Sequence, residues 1–389
     1  MSRRPDPIYL DHHATTPLDE RVLEAMLPWL RESFGNAASQ THVYGWRAAA
    51  AVDGARERIA EGLGARDPSE IVFTSGATES NNLALLGLAD ADRGRRPVVT
   101  AVTEHPSVLD PCRALARRGH PVEFLEVDAQ GRVDPAAVAE RLQDETLVVS
   151  IMAANNEIGV LQPIREIAAL CGERGIPFHT DAAQAVGRID LAAARDGIDL
   201  LSVSAHKLYG PKGVGCLVVR KTGRPRLRLE PRQYGGGHEG GLRSGTLPVA
   251  SIVGFARALE LCLAERAAEA ARLLRLRTTL FDRLCQALPG RVHLNGHPEA
   301  RLPGNLNVSF EGIDGDRLLA DLSGIAVSSG SACSSALPEP SPVLLALGRT
   351  TAQAKASLRF GLGRGTTPQH VDVAVASVVE AVARQSPAA

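Results

Sequence analysis

An α/β protein with a largely parallel central sheet, helices on both its faces and a smaller α/β unit beyond it is predicted by three observations. From residue 70, short apolar runs alternate with amphipathic helical patterns, as parallel strands buried on both faces require. Polar clusters follow the carboxyl ends of several of these runs, where open α/β sheets hold their ligands. A long helical stretch, Val249 to Leu288, has enough apolar positions to link two domains, and a shorter alternation follows it.

In order, Ile8-Tyr9-Leu10 leads into Asp11-His12-His13, and a helical pattern (Val22, Leu23, Met26, Leu27, Leu30) starts at Asp19 and ends near Gly35. A polar turn at Asn36-Ala37-Ala38-Ser39 precedes a second helix from about Trp46 to Leu63. Strands are expected at Ile71–Thr74, Val98–Val102, Val122–Leu125, Leu147–Met152, Pro177–Thr180, Leu200–Ser204 and Val214–Val219. Pro289-Gly290 stops the long helix. Beyond it, Leu306–Phe310, Ile325–Val327 and Leu358–Phe360 read as strands, with helices near Asp316–Leu322 and Val371–Arg384 and a disordered tail from Gln385.

Composition narrows the function. At 389 residues the chain exceeds one compact domain, and 44% hydrophobic against 22% charged residues supplies a full core. Basic residues (43) nearly cancel acidic ones (44), so no excess charge points to nucleic acid or anionic lipid. No apolar run reaches the roughly 20 residues of a membrane span, and Met1 to Pro7 lacks a secretion signal's apolar core. The expectation is a soluble cytoplasmic protein. Six scattered cysteines without a C-x-x-C pair fit neither a zinc site nor a disulfide framework. Asp11-His12-His13 matches a triplet of metal-dependent phosphoesterases, but the further aspartate motifs they need are missing, and no metal is expected.

Four clusters carry chemistry. Thr74-Ser75-Gly76-Ala77-Thr78-Glu79-Ser80-Asn81 joins a strand to a helix; its converging N–H groups suit a phosphate, or Thr or Ser acts as an ordinary helix cap. Glu104-His105 follows a second strand, and a histidine there stacks on a planar ring, shuttles a proton or merely fills a turn. Asp181 follows a third, with Gln184 one turn on; a partly desolvated carboxylate is costly unless it meets a cation such as a protonated pyridine. Lys207, in Ser204-Ala205-His206-Lys207, ends a fourth, as a reactive amine or as a solvated strand cap. Phosphate seat, ring neighbour, isolated acid and amine, each ending a successive strand, together describe the four handles of pyridoxal phosphate. Gly235–His238 and Arg243–Thr246 add a second glycine-rich loop.

With Asn155–Gly159 and Ser328–Ser334, these stretches resemble the cysteine desulfurases of the NifS/IscS type, pyridoxal-phosphate enzymes of aspartate-aminotransferase fold, over nearly the whole chain. The resemblance implies a large cofactor-binding domain over residues 15–255 and a small domain of residues 1–14 and 256–389 that carries a mobile cysteine loop near 328–342. It implies Lys207 as the Schiff-base lysine, His105 as ring-stacking acid/base, Asp181 as partner of the pyridine nitrogen and Gln184 of the ring hydroxyl. Ala77, Thr78, Ser204 and His206 match phosphate contacts. Thr246 matches one given by the other subunit, which implies a homodimer. Asn156 and Arg359 match the groups that hold the substrate carboxylate, a task suited to an arginine fork. Asn36 matches a substrate residue, although relatives read F-G-N-P-S-S where this chain has Phe34-Gly35-Asn36-Ala37-Ala38-Ser39.

Cys333, in Ser328-Ser329-Gly330-Ser331-Ala332-Cys333, sets the subclass. The resemblance implies conversion of L-cysteine to L-alanine with a persulfide left on Cys333. The sulfur would pass to an acceptor protein, an iron–sulfur scaffold or a thiolation enzyme for tRNA or cofactors. Alternatives are a selenocysteine lyase, β-lyase or aminotransferase of the same fold, or a non-catalytic partner in sulfur transfer.

Overall fold

The computed structural model describes residues 6–92, 94–223, 225–329 and 339–385. The chain opens with strand β1 (Ile8–Tyr9) and helices α1 (Glu20–Arg31) and α2 (Val43–Leu63). Asp19 caps α1 through its carboxylate. The α2 helix begins three residues before its expected start, because His42 caps it by accepting from the Gly45 N–H at 3.2 Å.

The central sheet alternates strand and helix: β2 (Ile71–Thr74), α3 (Ala77–Ala91), β3 (Val98–Ala101), α4 (Pro106–Arg117), β4 (Val122–Leu125) and α5 (Pro135–Arg141) come first. Next are β5 (Val148–Ser150), α6 (Ile164–Glu173), β6 (Phe178–Asp181), β7 (Leu200–Ser204) and β8 (Gly215–Val219). They form one seven-stranded sheet in the order β2-β8-β7-β6-β5-β3-β4. Neighbours run parallel except at β8, which pairs antiparallel with both β2 and β7. A connection of about ten residues at Ala205–Val214 lets the chain reverse after β7, where parallel pairing would need a longer crossover. The functional clusters therefore do not all end adjacent strands: β6 and β7 are neighbours, but β8 stands between β2 and β7, and β5 between β6 and β3.

The long helix α7 (Val249–Ala287) serves two cores. Its residues Val249 to Cys262 pack into the core under the central sheet. From Leu273 on they join a second core with Leu10, β9 (Val292–Leu294), β10 (Asn305–Phe310), α8 (Gly315–Asp321), β11 (Ile325–Ala326), β12 (Ser357–Gly361) and α11 (Pro368–Ala383). Short helices α9 (Pro342–Ala346) and α10 (Thr351–Lys355) lie between β11 and β12. Strand β9 and these two helices are too short to show a periodicity in the sequence. The three-stranded sheet runs β12-β10-β9, and β1 pairs with β11 in parallel, so Ile8 and Tyr9 join the last third of the chain. Among the described residues no helix is long and apolar enough to cross a membrane.

Candidate active site

Lys207 ends a single 3-10 turn, Ala205–Lys207, directly after β7. Its Nζ donates to the carbonyls of His13 and Ala14, at 2.6 and 2.7 Å. The turn is closed by Tyr209, which takes a left-handed φ of 60°. Such a conformation is uncommon outside glycine and persists only when neighbours hold it. Here the Tyr209 N–H donates to Thr16 Oγ1 at 2.8 Å, and its ring lies under the Arg364 guanidinium, 4.3 Å from the ring centroid.

Asp181 is the last residue of β6 and is buried. Among the described residues its carboxylate accepts from two neutral donors: Asn81 Nδ2 to Oδ2 at 2.7 Å, and the Ala183 N–H to Oδ1 at 2.9 Å. The same Asn81 amide donates to Ser107 Oγ at 2.8 Å. Ser107 Oγ lies 2.8 Å from His105 Nδ1, and the Ser107 N–H donates to that same nitrogen at 3.1 Å. Two donors on Nδ1 leave the proton on Nε2. Burial lowers the imidazole's pKa below its ordinary value, with Lys207 adding to the effect and Asp181 opposing it. His105 thus stands neutral, linked to Asp181 through Ser107 and Asn81. Asn81 closes the Thr74–Asn81 stretch but has no role of its own in the sequence reading, although a polar residue among the buried positions of α3 (Leu83, Ala84, Leu85) was a signal.

The start of α3 decides between phosphate seat and ordinary cap. Gly76 is the cap residue, at φ 147°, and among the described residues no side-chain hydrogen bond caps the helix start. A Cβ at Gly76 would stand 3.2 Å from Ser204 Oγ. An uncapped helix N-terminus facing a serine hydroxyl fits an anion. His206 Nδ1 lies 3.0 Å from Thr15 Oγ1, and burial with Lys207 and Lys212 nearby takes its pKa down to about 4. His206 is neutral at pH 7, so it can serve a phosphate by hydrogen bonding and not by charge.

Other expected residues are placed differently. Gln184 is already engaged by His13: its Oε1 is 3.0 Å from His13 Nδ1, and its Nε2 donates to the His13 carbonyl at 2.9 Å. Arg359 is buried on β12, but its terminal nitrogens are taken by Asp11 Oδ1 at 2.7 Å and the Asn156 carbonyl at 2.9 Å. Only its buried Nε lacks a partner. Asn36 is exposed and caps its own turn by accepting from the Ala38 N–H at 2.9 Å. Among the described residues no hydrogen bond links it to the Lys207 cluster. Thr246 is exposed on its loop. Cys333 lies outside the described residues, but the segments on either side of it do not. Ser328 bridges to Arg359, and Ser341, the cap of α9, donates to Glu157 Oε2 at 2.5 Å. Burial takes the Glu157 carboxyl up to about 7, against the pull of Ser341 and Arg359.

Histidines 12 and 13 serve hydrogen bonding: His12 Nδ1 lies 2.9 Å from the Gly361 carbonyl, and His13 meets Gln184 and Arg188. Among the described residues no group of three His, Cys, Asp or Glu could hold a metal.

An amine, a buried carboxylate, a neutral imidazole and an uncapped helix start, gathered at the carboxyl ends of one sheet, define the class of the pyridoxal-phosphate enzymes built on the aminotransferase fold. Family comparison gives the particular member: residues 8–373 match the family model described as aminotransferase class-V, and the chain belongs to that family. It is 52% identical over 377 residues to a cysteine desulfurase IscS of Anaeromyxobacter sp. (strain Fw109-5), covering 97% of this chain and 92% of that protein. A solved NifS-like protein superposes with a TM-score of 0.90 at 36% identity, covering 97% of this chain and all (100%) of that one. A structure described as SspA in complex with cysteine superposes at 0.81 with 38% identity, covering 91% and 98%.

Proposed function

We propose that this chain is a cysteine desulfurase that converts L-cysteine to L-alanine and receives the sulfur as a persulfide on Cys333. The reading is carried by one juxtaposition: Ser328, five residues before Cys333, pairs with Arg359, whose strand borders Asn156 and the Lys207 site. Five residues span at most about 17 Å, and this short length of chain supports assigning Cys333 to the site.

The residues present suit pyridoxal phosphate: Ala77, Thr78, Ser204 and His206 at its phosphate, His105 at its ring face, Asp181 at its ring nitrogen and Lys207 at its aldehyde. Bound there, the cofactor supplies a carbonyl for the substrate amine and a ring that withdraws electrons from the substrate's Cα. Asp181, held by Asn81, keeps the ring nitrogen's proton in place. Lys207 and His105 Nε2 hold and return protons near that carbon. Asn156 and Arg359 orient the carboxylate. The Cys333 thiolate attacks the substrate sulfur: a S–S bond forms, the substrate's C–S bond breaks, and a proton returned to that carbon completes alanine. The division into a domain of residues 15–255 and a second of 1–14 and 256–389, a homodimer sharing Thr246, and a cytoplasmic acceptor protein complete the proposal.

Replacing Cys333 by serine tests it. The variant should keep the cofactor's visible absorption and lose alanine formation from cysteine by at least roughly a hundredfold. Unchanged turnover, or pyruvate in place of alanine, returns the chain to the lyase and aminotransferase readings.

A further inference from the structure

His13 sits where the proposed function leaves a task unfilled. Its backbone carbonyl accepts from Lys207 Nζ at 2.6 Å, so the residue borders the amine. Its side chain is buried, and both Lys207 and Arg359 lie near enough for their charges to act on it. The ring packs on β12: a Cβ at Gly361 would stand 3.0 Å from His13 Cδ2, the carbon bonded to Nε2. Gly361 and Arg359 are two residues apart on that strand and so point to one face.

The tautomer follows from Arg188. A guanidinium only donates, and Arg188 Nη1 lies 2.8 Å from His13 Nδ1, which must therefore offer its lone pair. Gln184 Oε1, at 3.0 Å from the same nitrogen, is the weaker competitor, and Arg188 also donates to it at 3.4 Å. The ring's one proton is then on Nε2. That atom is buried and has no hydrogen-bond partner. A buried donor left unmade is costly unless a ligand fills it. Arg359 Nε, likewise buried and without a partner, is the second such donor on this wall.

We propose that His13 is a substrate-binding residue, its Nε2–H donating to the carboxylate of the bound amino acid beside Arg359. Arg359 Nη1 and Nη2 are each already engaged, Nε is the Arg359 nitrogen left without a partner, and a carboxylate has two oxygens to satisfy; His13 supplies a further donor. The inference rests on the desulfurase reading, since it presumes an amino acid at Lys207.

The test is equilibrium binding followed by the visible absorption of the cofactor-loaded protein, titrated with L-alanine and with ethylamine, the same amine without the carboxylate. His13→Ala should weaken L-alanine by roughly ten- to a hundredfold, the range of one hydrogen bond to a charged group, and ethylamine by no more than about twofold. His13→Leu, which keeps the packing on Gly361 without a donor, should behave alike, and His13→Gln should recover part of the loss. Equal weakening of both amines, or no weakening, overturns the assignment while leaving the desulfurase reading standing. A wild-type protein that answers neither amine overturns both.

Discussion

The two walls of the site are built by different means. One is the strand-end wall, where Asp181, Asn81, Ser107 and His105 are joined by contacts of 2.7 to 2.8 Å within a single sheet and its helices. The other closes the chain on itself: Asp11 meets Arg359, 348 positions away, and Glu157 meets Ser341, 184 positions away. The first wall links its polar groups to one another, with Asn81 Oδ1 the buried acceptor left over. The second keeps unpartnered donors at Arg359 and His13 and a carboxyl poised near neutrality at Glu157. One wall is preorganised for a resident group; the other is held in readiness for what comes and goes.

The largest effect expected is on the strand-end wall. Lys207→Ala should abolish the visible band of the cofactor-bound protein and lower alanine formation by at least about 10²- to 10⁴-fold, the range of a positioned proton carrier. A spectrum like that of wild type would detach the amine from the cofactor. Next is Asn81→Ala, which removes one donor from Asp181 and the bridge to Ser107 at once. A buried charged group that loses a partner forfeits about 1–3 kcal/mol, so turnover should fall roughly tenfold or more. The cofactor should also be held more weakly in a fluorescence or absorbance titration, whereas Arg359→Lys should leave cofactor affinity unchanged and raise KM for cysteine. If Asn81→Ala and Arg359→Lys give the same pattern, the two walls do not divide the labour as described.

The strand-end wall was also the more legible one. Lys207, Asp181 and His105 follow apolar runs that already read as strands, and a sheet places its carboxyl ends together whatever the strand order. The reversal at β8 was not legible, because Gly215–Val219 is as apolar as the parallel strands of the sheet. Of the second wall, the residue types could be named, but not their partners. Nothing local in Arg359 says that Asp11 holds it, and nothing in Asp11-His12-His13 says that the His13 carbonyl accepts from Lys207. The separation along the chain is what hides such pairs. Asn36 shows the converse: a motif position whose surroundings within this chain leave it exposed.

The smallest effect, and the sharpest probe of the second wall, lies at Glu157. Burial raises its carboxyl to about 7, so the folded protein holds this proton more tightly than the unfolded chain, whose glutamate titrates near 4.5. Its favourable contribution is therefore complete below about pH 4.5 and is lost as pH rises through about 7. Glu157→Gln keeps an acceptor for the Ser341 hydroxyl but cannot ionise. The difference in stability between wild type and this variant should thus drift in the variant's favour by a few kcal/mol between those two pH values and then level off. His179 and His206, each lowered to about 4, pull in the opposite sense between pH 4 and 6.5, but they are common to both proteins and cancel in the difference. Denaturant midpoints across that range are the measurement. A flat difference would mean that Glu157 is ionised at neutral pH and that its bond to Ser341 is held by charge.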